Sequence, residues 1–167
     1  MRRSEQSCDV LIVGAGPAGL TAAVYLARYR RRVLVVHDEA SRAARIPLTR
    51  NVPGFPGGVA GPELLQRMRD QAQLYGAEIR CDRIHALRQD QDRGFQALGD
   101  EGTYRPRSVI LATGVSLNEI DLPKAVHEEA LRLACLRYCP ICDGFEATRK
   151  VVAVLGSGAH GAREALF

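Results

Sequence analysis

Asp9-Val10-Leu11-Ile12-Val13-Gly14-Ala15-Gly16-Pro17-Ala18-Gly19 is the stretch that decides the fold. An apolar run ending in glycine is the pattern of a buried strand, here over 9–13. Pro17 suits the first position of a helix. Leu20, Ala22, Ala23, Val24, Leu26 and Ala27 carry that helix on to Tyr29. They lie almost all round it, so the helix is expected to be well buried. Val33 to Val36 then supplies a second strand, parallel to the first. In this setting the glycines allow a tight turn and the close approach of a pyrophosphate to a helix N-terminus. Gly14, Gly16, Pro17, Ala18 and Gly19 are therefore candidate dinucleotide-binding residues, the alternative being a tight turn without a ligand. A ribose-binding acid is due about 20 residues after the glycines. His37 and Asp38 stand there, so either Asp38 reaches the ribose or His37 does a weaker job. Alternatively, His37-Asp38-Glu39 is a surface turn.

The chain has 167 residues, enough for one domain or one domain and part of another. Apolar residues make up 46%, which supports a real core. Aromatics are 5% with no Trp, which argues against a stacking platform for single-stranded nucleic acid. The formal charge of +4 comes from scattered Arg. The densest cluster, Arg28, Arg30, Arg31 and Arg32, reads as a solvated helix end, where cations suit the dipole. No nucleic-acid module surrounds it. Met1 to Gln6 leads into no long apolar stretch, so no secretory signal is read. No run approaches the ~20 apolar residues of a membrane span. The expected location is cytoplasmic.

Further along, 51–61 is rich in Pro and Gly around Phe55 and reads as a loop. Pro62 to Tyr75 is an amphipathic helix, with Leu65, Met68, Ala72 and Tyr75 on one face. Ala77 to Ile84 is expected as a strand. His85 to Arg107 reads as a β-meander with turns at Asp92-Arg93-Gly94 and Asp100-Glu101-Gly102. Val109 to Ala112 is expected as another buried strand, ending in Thr113-Gly114. A second unit begins near Leu122-Pro123, with a helix or irregular segment over about Ala125 to Leu136. Val151 to Leu155 is expected as a fresh buried strand. It leads into a second glycine fingerprint, Gly156-Ser157-Gly158-Ala159-His160-Gly161, and a helix from His160. The fold class is thus α/β: a Rossmann-like domain over 1–121 with a parallel sheet and small meander, then the start of a second such domain over 122–167.

Between the fingerprints lies Cys139-Pro140-Ile141-Cys142-Asp143-Gly144. Of five Cys, Cys8 and Cys81 stand alone, while Cys135, Cys139 and Cys142 cluster, which points to redox or metal chemistry. As a redox pair, Cys139 and Cys142 can form a disulfide, one thiolate attacking and the other resolving. As a zinc half-site they would want a second pair; His127 and Cys135 are nearby, but none has metal-ligand spacing. The 135–139–142 spacing also fits an iron–sulfur cluster. Cys135 itself reads as a buried helix residue. Asp143 either moves a proton during thiol exchange or is simply a turn residue.

Taken together, these motifs resemble the low-molecular-weight thioredoxin reductase family of flavoproteins. The resemblance runs from about Cys8 to the last residue. It rests on residues 14–19, on Asn51-Val52-Pro53-Gly54-Phe55-Pro56-Gly57, on Leu111-Ala112-Thr113-Gly114, on 139–145 and on the fingerprint at Gly156. It implies that the first fingerprint holds FAD, with Asn51, Ala112, Thr113 and Gly114 also lining the flavin site. Gly156, Gly158 and Gly161 would open a domain binding NADPH, or NADH. Electrons would pass from the nicotinamide through FAD to the dithiol. Cys142 would lie nearer the flavin, Cys139 would exchange with a thioredoxin-like or other disulfide substrate, and Asp143 would be the acid. A homodimer, no metal, no nucleic acid and no membrane are implied, as is rotation of the nicotinamide unit between two arrangements. Two departures mark a divergent branch: the displaced ribose acid, and Ser41-Arg42-Ala43-Ala44-Arg45 where the family has glycine-glycine-glutamine. Ending at Phe167, inside the second fingerprint's helix, the chain is expected to be an N-terminal portion without turnover of its own. Competing readings are a ferredoxin-NADP reductase-like flavin oxidoreductase with an idle dithiol, a non-catalytic remnant, and an iron–sulfur protein.

Overall fold

Strand β1, Ser4–Val13, is the centre on which the first half of the chain is built. The computed structural model describes residues 4–90 and 94–166, without the side chains of Ser4 and Asp143. β1 pairs in parallel with β2, Val33–His37, from Val10↔Val33 to Val13↔Val36. Helix α1, Pro17–Arg28, makes the crossover. Helix α2, Gly61–Leu74, leads to β3, Glu78–Cys81, which lies parallel to β2. β4, Ile84–Gln89, β5, Phe95–Gly99, and β6, Gly102–Leu111, follow. The sheet order is β3-β2-β1-β6-β5-β4. This is the Rossmann-like α/β sheet with a small meander that the sequence predicts. Of the turn expected at Asp92-Arg93-Gly94, Asp92 and Arg93 lie outside the described residues, and the Gly94 carbonyl accepts the Asp90 N–H at 2.9 Å.

The central strands are apolar on both faces because both are covered. Val10, Ile12, Val33 and Val35 pack against Leu20, Ala23 and Ala27 of α1 and Leu65 and Ala72 of α2. Cys8, Leu11, Leu34 and Val36 form the other face, with Ala97 and Tyr104 from the meander. Burial of one such aliphatic side chain stabilises by about 1.5–3 kcal/mol.

Several expectations are corrected here. α1 buries Leu20, Ala23 and Ala27 and half-buries Ala22, Val24 and Leu26, while Tyr25 is exposed, so its burial is complete on one face and partial beside it. Ala22, Val24 and Leu26 pack at the edge of the same core cluster, so the apolar stripe of α1 does meet the core. Ala77 to Ile84 is two strands, because the buried Asp82 breaks the run. Its carboxylate accepts the Arg83 N–H at 2.7 Å, the Glu101 N–H at 3.1 Å and the Tyr104 hydroxyl at 2.6 Å. Burial opposes its ionisation, but these bonds outweigh burial and hold the carboxyl below the ordinary range. Val109 to Ala112 is no separate strand but the end of β6, half-buried at Val109 and exposed at Leu111. β6 pairs antiparallel with β5 at its start and parallel with β1 along its length.

Contacts divide the chain into two compact units, Met1–Arg45 with Gly61–Ser116, and Ile46–Ala60 with Leu117–Phe167. The second contains α3, Lys124–Arg132, the one-turn helix α4, Pro140–Asp143, and α5, Gly158–Leu166. Val151 to Leu155 forms no strand, and Val151 is fully exposed. A strand needs a ladder partner, and no other strand is assigned among the described residues of this unit. No described helix is long and apolar enough to cross a membrane.

Candidate flavin turn and redox dithiol

In the first unit, the fold makes a different demand at each of the three fingerprint glycines. Gly14 has φ +110°, and a Cβ there would collide with the Ala112 carbonyl. Its N–H donates to the Val36 carbonyl at 2.7 Å, and the Ala112 N–H to Val13 at 2.8 Å. Gly19 faces the Gly14 carbonyl so closely that a Cβ could not fit, which lets α1 pack on the turn. Gly16 is different. Its backbone is extended, with φ −77° and ψ 178°. A Cβ would meet nothing nearer than Ser41 Oγ at 3.6 Å. The chain itself therefore has no steric need for glycine at 16. No side chain caps the N-terminus of α1, where Pro17 stands first.

Ala112 is brought to this turn, and its methyl lies within 3.3 Å of a Cβ built on Gly19. Thr113 and Gly114 follow it, exposed, with Gly114 at φ +68°. Asp38 lies one residue beyond β2, exposed, and accepts the Ala40 N–H at 3.2 Å. His37 Nδ1 accepts the Glu39 N–H at 3.2 Å. Burial lowers the His37 pKa, and the Arg69 charge adds to this. Ser41, whose Oγ faces Gly16, belongs to no motif that marks it in sequence.

In the second unit, Asn51 lies on the 46–60 loop, in a shallow cavity of about 380 Å³ lined by residues 50–56. Its Oδ1 accepts the Thr49 hydroxyl at 2.6 Å, next to the Thr49↔Val59 bridge that closes the loop. Cys139 and Cys142 are joined in a disulfide, with Cα atoms 5.3 Å apart. Cys139 precedes α4 with an extended backbone, and the Cys142 N–H donates to its carbonyl at 3.1 Å. Cys139 is half-buried and Cys142 exposed. Ile141 and Phe145, 77% and 87% exposed, flank the pair with apolar surface. Asp143 closes α4. Arg50 reaches Glu146, just past α4, at 3.8 Å. Cys135 is not a buried helix residue: α3 ends at Arg132, and Cys135 is exposed beyond it. No group of three or more His, Cys, Asp or Glu among the described residues is arranged to hold a metal ion.

The second fingerprint shares only the steric part of this pattern, because its middle glycine, Gly158, has a left-handed backbone that Gly16 lacks. A Cβ on Gly156 would meet Gly161 Cα at 2.8 Å, and one on Gly161 would meet the Gly156 carbonyl carbon at 2.8 Å. Gly158, at φ +61°, has nothing within 4 Å of its Cβ position. First and third glycines are packed together, and the middle one is open, even though no sheet precedes them.

Residues 8–167 match the model of the pyridine nucleotide-disulphide oxidoreductases. The chain belongs to that family. Thioredoxin reductase of Mycolicibacterium smegmatis is 37% identical over all of this chain and 53% of its own length. Glucosaminate ammonia-lyase of Pseudomonas fluorescens is also 37% identical, over 95% of this chain and 49% of its own. Among solved structures, thioredoxin reductase from Giardia duodenalis superposes with a TM-score of 0.85 at 28% identity, covering 96% of this chain and 52% of that one. The chain thus spans about half the length of the relatives it matches.

Proposed function

We propose that this chain carries the flavin-binding and dithiol-bearing part of an FAD-dependent disulfide reductase of thioredoxin reductase type. Residues 1–121 would be the FAD-binding domain, and 122–167 the opening of a domain for NADPH or NADH. The observation that carries the reading is the Cys139–Cys142 disulfide, which lies in sequence between two glycine turns whose first and third glycines are closely packed. Gly16 supports the pyrophosphate assignment, because the fold leaves space at that one glycine of the first three. Gly14, Gly16, Pro17, Ala18 and Gly19 would hold the pyrophosphate at the α1 N-terminus. Asp38 would bind ribose, and Asn51, Ala112, Thr113 and Gly114 would line the flavin. Gly156, Gly158 and Gly161 would serve the nicotinamide nucleotide. Bound there, FAD supplies two-electron chemistry between a nicotinamide and a disulfide.

The residues of this chain then perform thiol exchange. The Cys139 thiolate attacks a sulfur of the substrate disulfide, forming a mixed disulfide and releasing one substrate thiolate. The Cys142 thiolate attacks Cys139 Sγ, restores the intramolecular disulfide and releases the second thiolate. The substrate gains two electrons and the pair loses two. Asp143 would supply or take the accompanying proton. Exposed Ile141 and Phe145 suit a protein substrate such as a thioredoxin-like domain. The setting would be cytoplasmic, where such pairs are catalytic rather than structural, and the assembly a homodimer.

The test is NADPH- or NADH-dependent reduction of an aromatic disulfide by the polypeptide in its natural reading frame, supplied with FAD. Cys139→Ser and Cys142→Ser should each abolish it while FAD binding persists. Undiminished turnover in both variants would make the dithiol idle and refute the reading.

A further inference from the structure

Next to the dithiol in sequence, the second unit holds a polar cluster that neither nucleotide binding nor thiol exchange uses. His127 sits on the buried face of α3 with Leu131 and is only 4% exposed. Its Nε2 lies 2.7 Å from the Tyr138 hydroxyl, and the two rings are tilted by 37° with centroids 5.9 Å apart. The same hydroxyl oxygen accepts the Ile120 N–H at 3.1 Å. With the Ile120 N–H already donated to its oxygen, the phenol can donate its own proton to Nε2 when the imidazole proton is on Nδ1. Glu119 Oε2 stands 3.7 Å from the same nitrogen. One phenol oxygen therefore ties the chain before α3, α3 itself and the residue immediately preceding Cys139.

We propose that His127 and Tyr138 are positioning residues for the Cys139–Cys142 pair, holding Cys139 where Cys142 can close on it. This rests on the reading of the pair as a redox dithiol. α4 is a single turn, too short to hold itself. In the oxidised state the sulfur–sulfur bond fixes the segment. In the dithiol state that bond is gone, and the Tyr138 anchor is what fixes the entry to Cys139. Closing the pair is an intramolecular attack, whose equilibrium follows how closely the two sulfurs are held. With glutathione disulfide as oxidant, the dithiol gives up two electrons. Cys142 thiolate attacks Sγ of a Cys139–glutathione mixed disulfide, forms the Cys139–Cys142 bond and releases glutathione thiolate.

The experiment equilibrates the whole chain in glutathione buffers of set ratio, traps thiols by alkylation and quantifies the peptide containing Cys139 and Cys142 by mass. Wild type should interconvert reversibly. Tyr138→Phe and His127→Leu should lower the equilibrium constant for disulfide formation by about threefold to tenfold, the size of one net hydrogen bond. Tyr138→Phe keeps the ring, so its far-ultraviolet circular dichroism should match wild type. His127→Gln, whose Oε1 can accept the phenolic proton, should recover most of the loss. Constants equal to wild type in Tyr138→Phe and His127→Leu would overturn the positioning role while leaving a reversible pair. Equal losses in His127→Leu and His127→Gln would overturn it too, since the hydrogen bond would then not be the cause. A wild-type pair that does not interconvert would overturn the redox reading itself, and this inference with it.

Discussion

Replacing Gly14, Gly16 and Gly19 one at a time separates what the fold needs from what a ligand needs. At Gly14 an added Cβ meets both a left-handed backbone, φ +110°, and the Ala112 carbonyl. Forcing such a conformation costs about 1–3 kcal/mol, and overpacking costs about another 1–3 kcal/mol. In a chain of this size each kcal/mol lowers Tm by roughly 2–4 °C. Gly14→Ala should therefore melt several degrees to well over ten degrees lower. Gly19→Ala should lose a similar packing increment, because the Gly14 carbonyl blocks it. At Gly16 an added Cβ meets no such conflict: the backbone is ordinary, and Ser41 Oγ stands at 3.6 Å. The Tm of Gly16→Val should stay within about 3 °C of wild type, as for a surface change of under ~0.5–1 kcal/mol. FAD affinity should fall by about fivefold to 150-fold, the equivalent of 1–3 kcal/mol of steric conflict with a pyrophosphate. Thermal melts and FAD titration by fluorescence would be run on all three. If Gly16→Val melts as low as Gly14→Ala, or binds FAD like wild type, the separation is wrong.

Asp82→Ala should cost about 1–3 kcal/mol at neutral pH, since it leaves the buried Tyr104 hydroxyl and two N–H groups without their acceptor; chemical denaturation reads it. The Asp82 pKa is depressed on folding, so its contribution is present above the unfolded value of about 3.9 and is lost as pH falls through the folded value. The gap between wild type and Asp82→Asn should accordingly narrow below about pH 4; a pH-independent gap would refute this. Burial pushes the Cys8 thiol up to about 11. At pH 8, iodoacetamide should therefore label exposed Cys81 and Cys135 in the folded chain and Cys8 only in denaturant; labelling of all three at one rate would contradict its burial.

Local order is what the sequence made legible. The strand–glycine–helix pattern at 9–19 and Leu65, Met68 and Ala72 on the face of α2 involve residues a few positions apart, though Tyr75 lies past the helix and is exposed. The spacing of Cys139 and Cys142 allowed a disulfide or a metal site, and the structure has the disulfide. Asp82 escaped such a reading because its partners, Glu101 and Tyr104, lie across the meander and leave no periodic trace. His127 could be weighed only as a metal ligand, since Tyr138 reveals itself as its partner only in three dimensions. Val151 to Leu155 misled for the converse reason: the run has strand character, but pairing belongs to neighbours, and the unit offers none among its described residues.

The contact between Gly14 and Ala112 also orders events in time. β1 can find β2 early, through a short helical crossover, but its pairing with β6 joins Ser4 to Gly102, about a hundred residues downstream, and such closures are slow. The first glycine turn is walled by that late-arriving strand, so it is finished only when the sheet is. The second turn needs nothing beyond Gly156 and Gly161, five positions apart, and can form as soon as those residues exist. Folding thus prepares the two glycine turns on different clocks, and a ligand captured by the first turn would report that the longest loop of the domain has already closed.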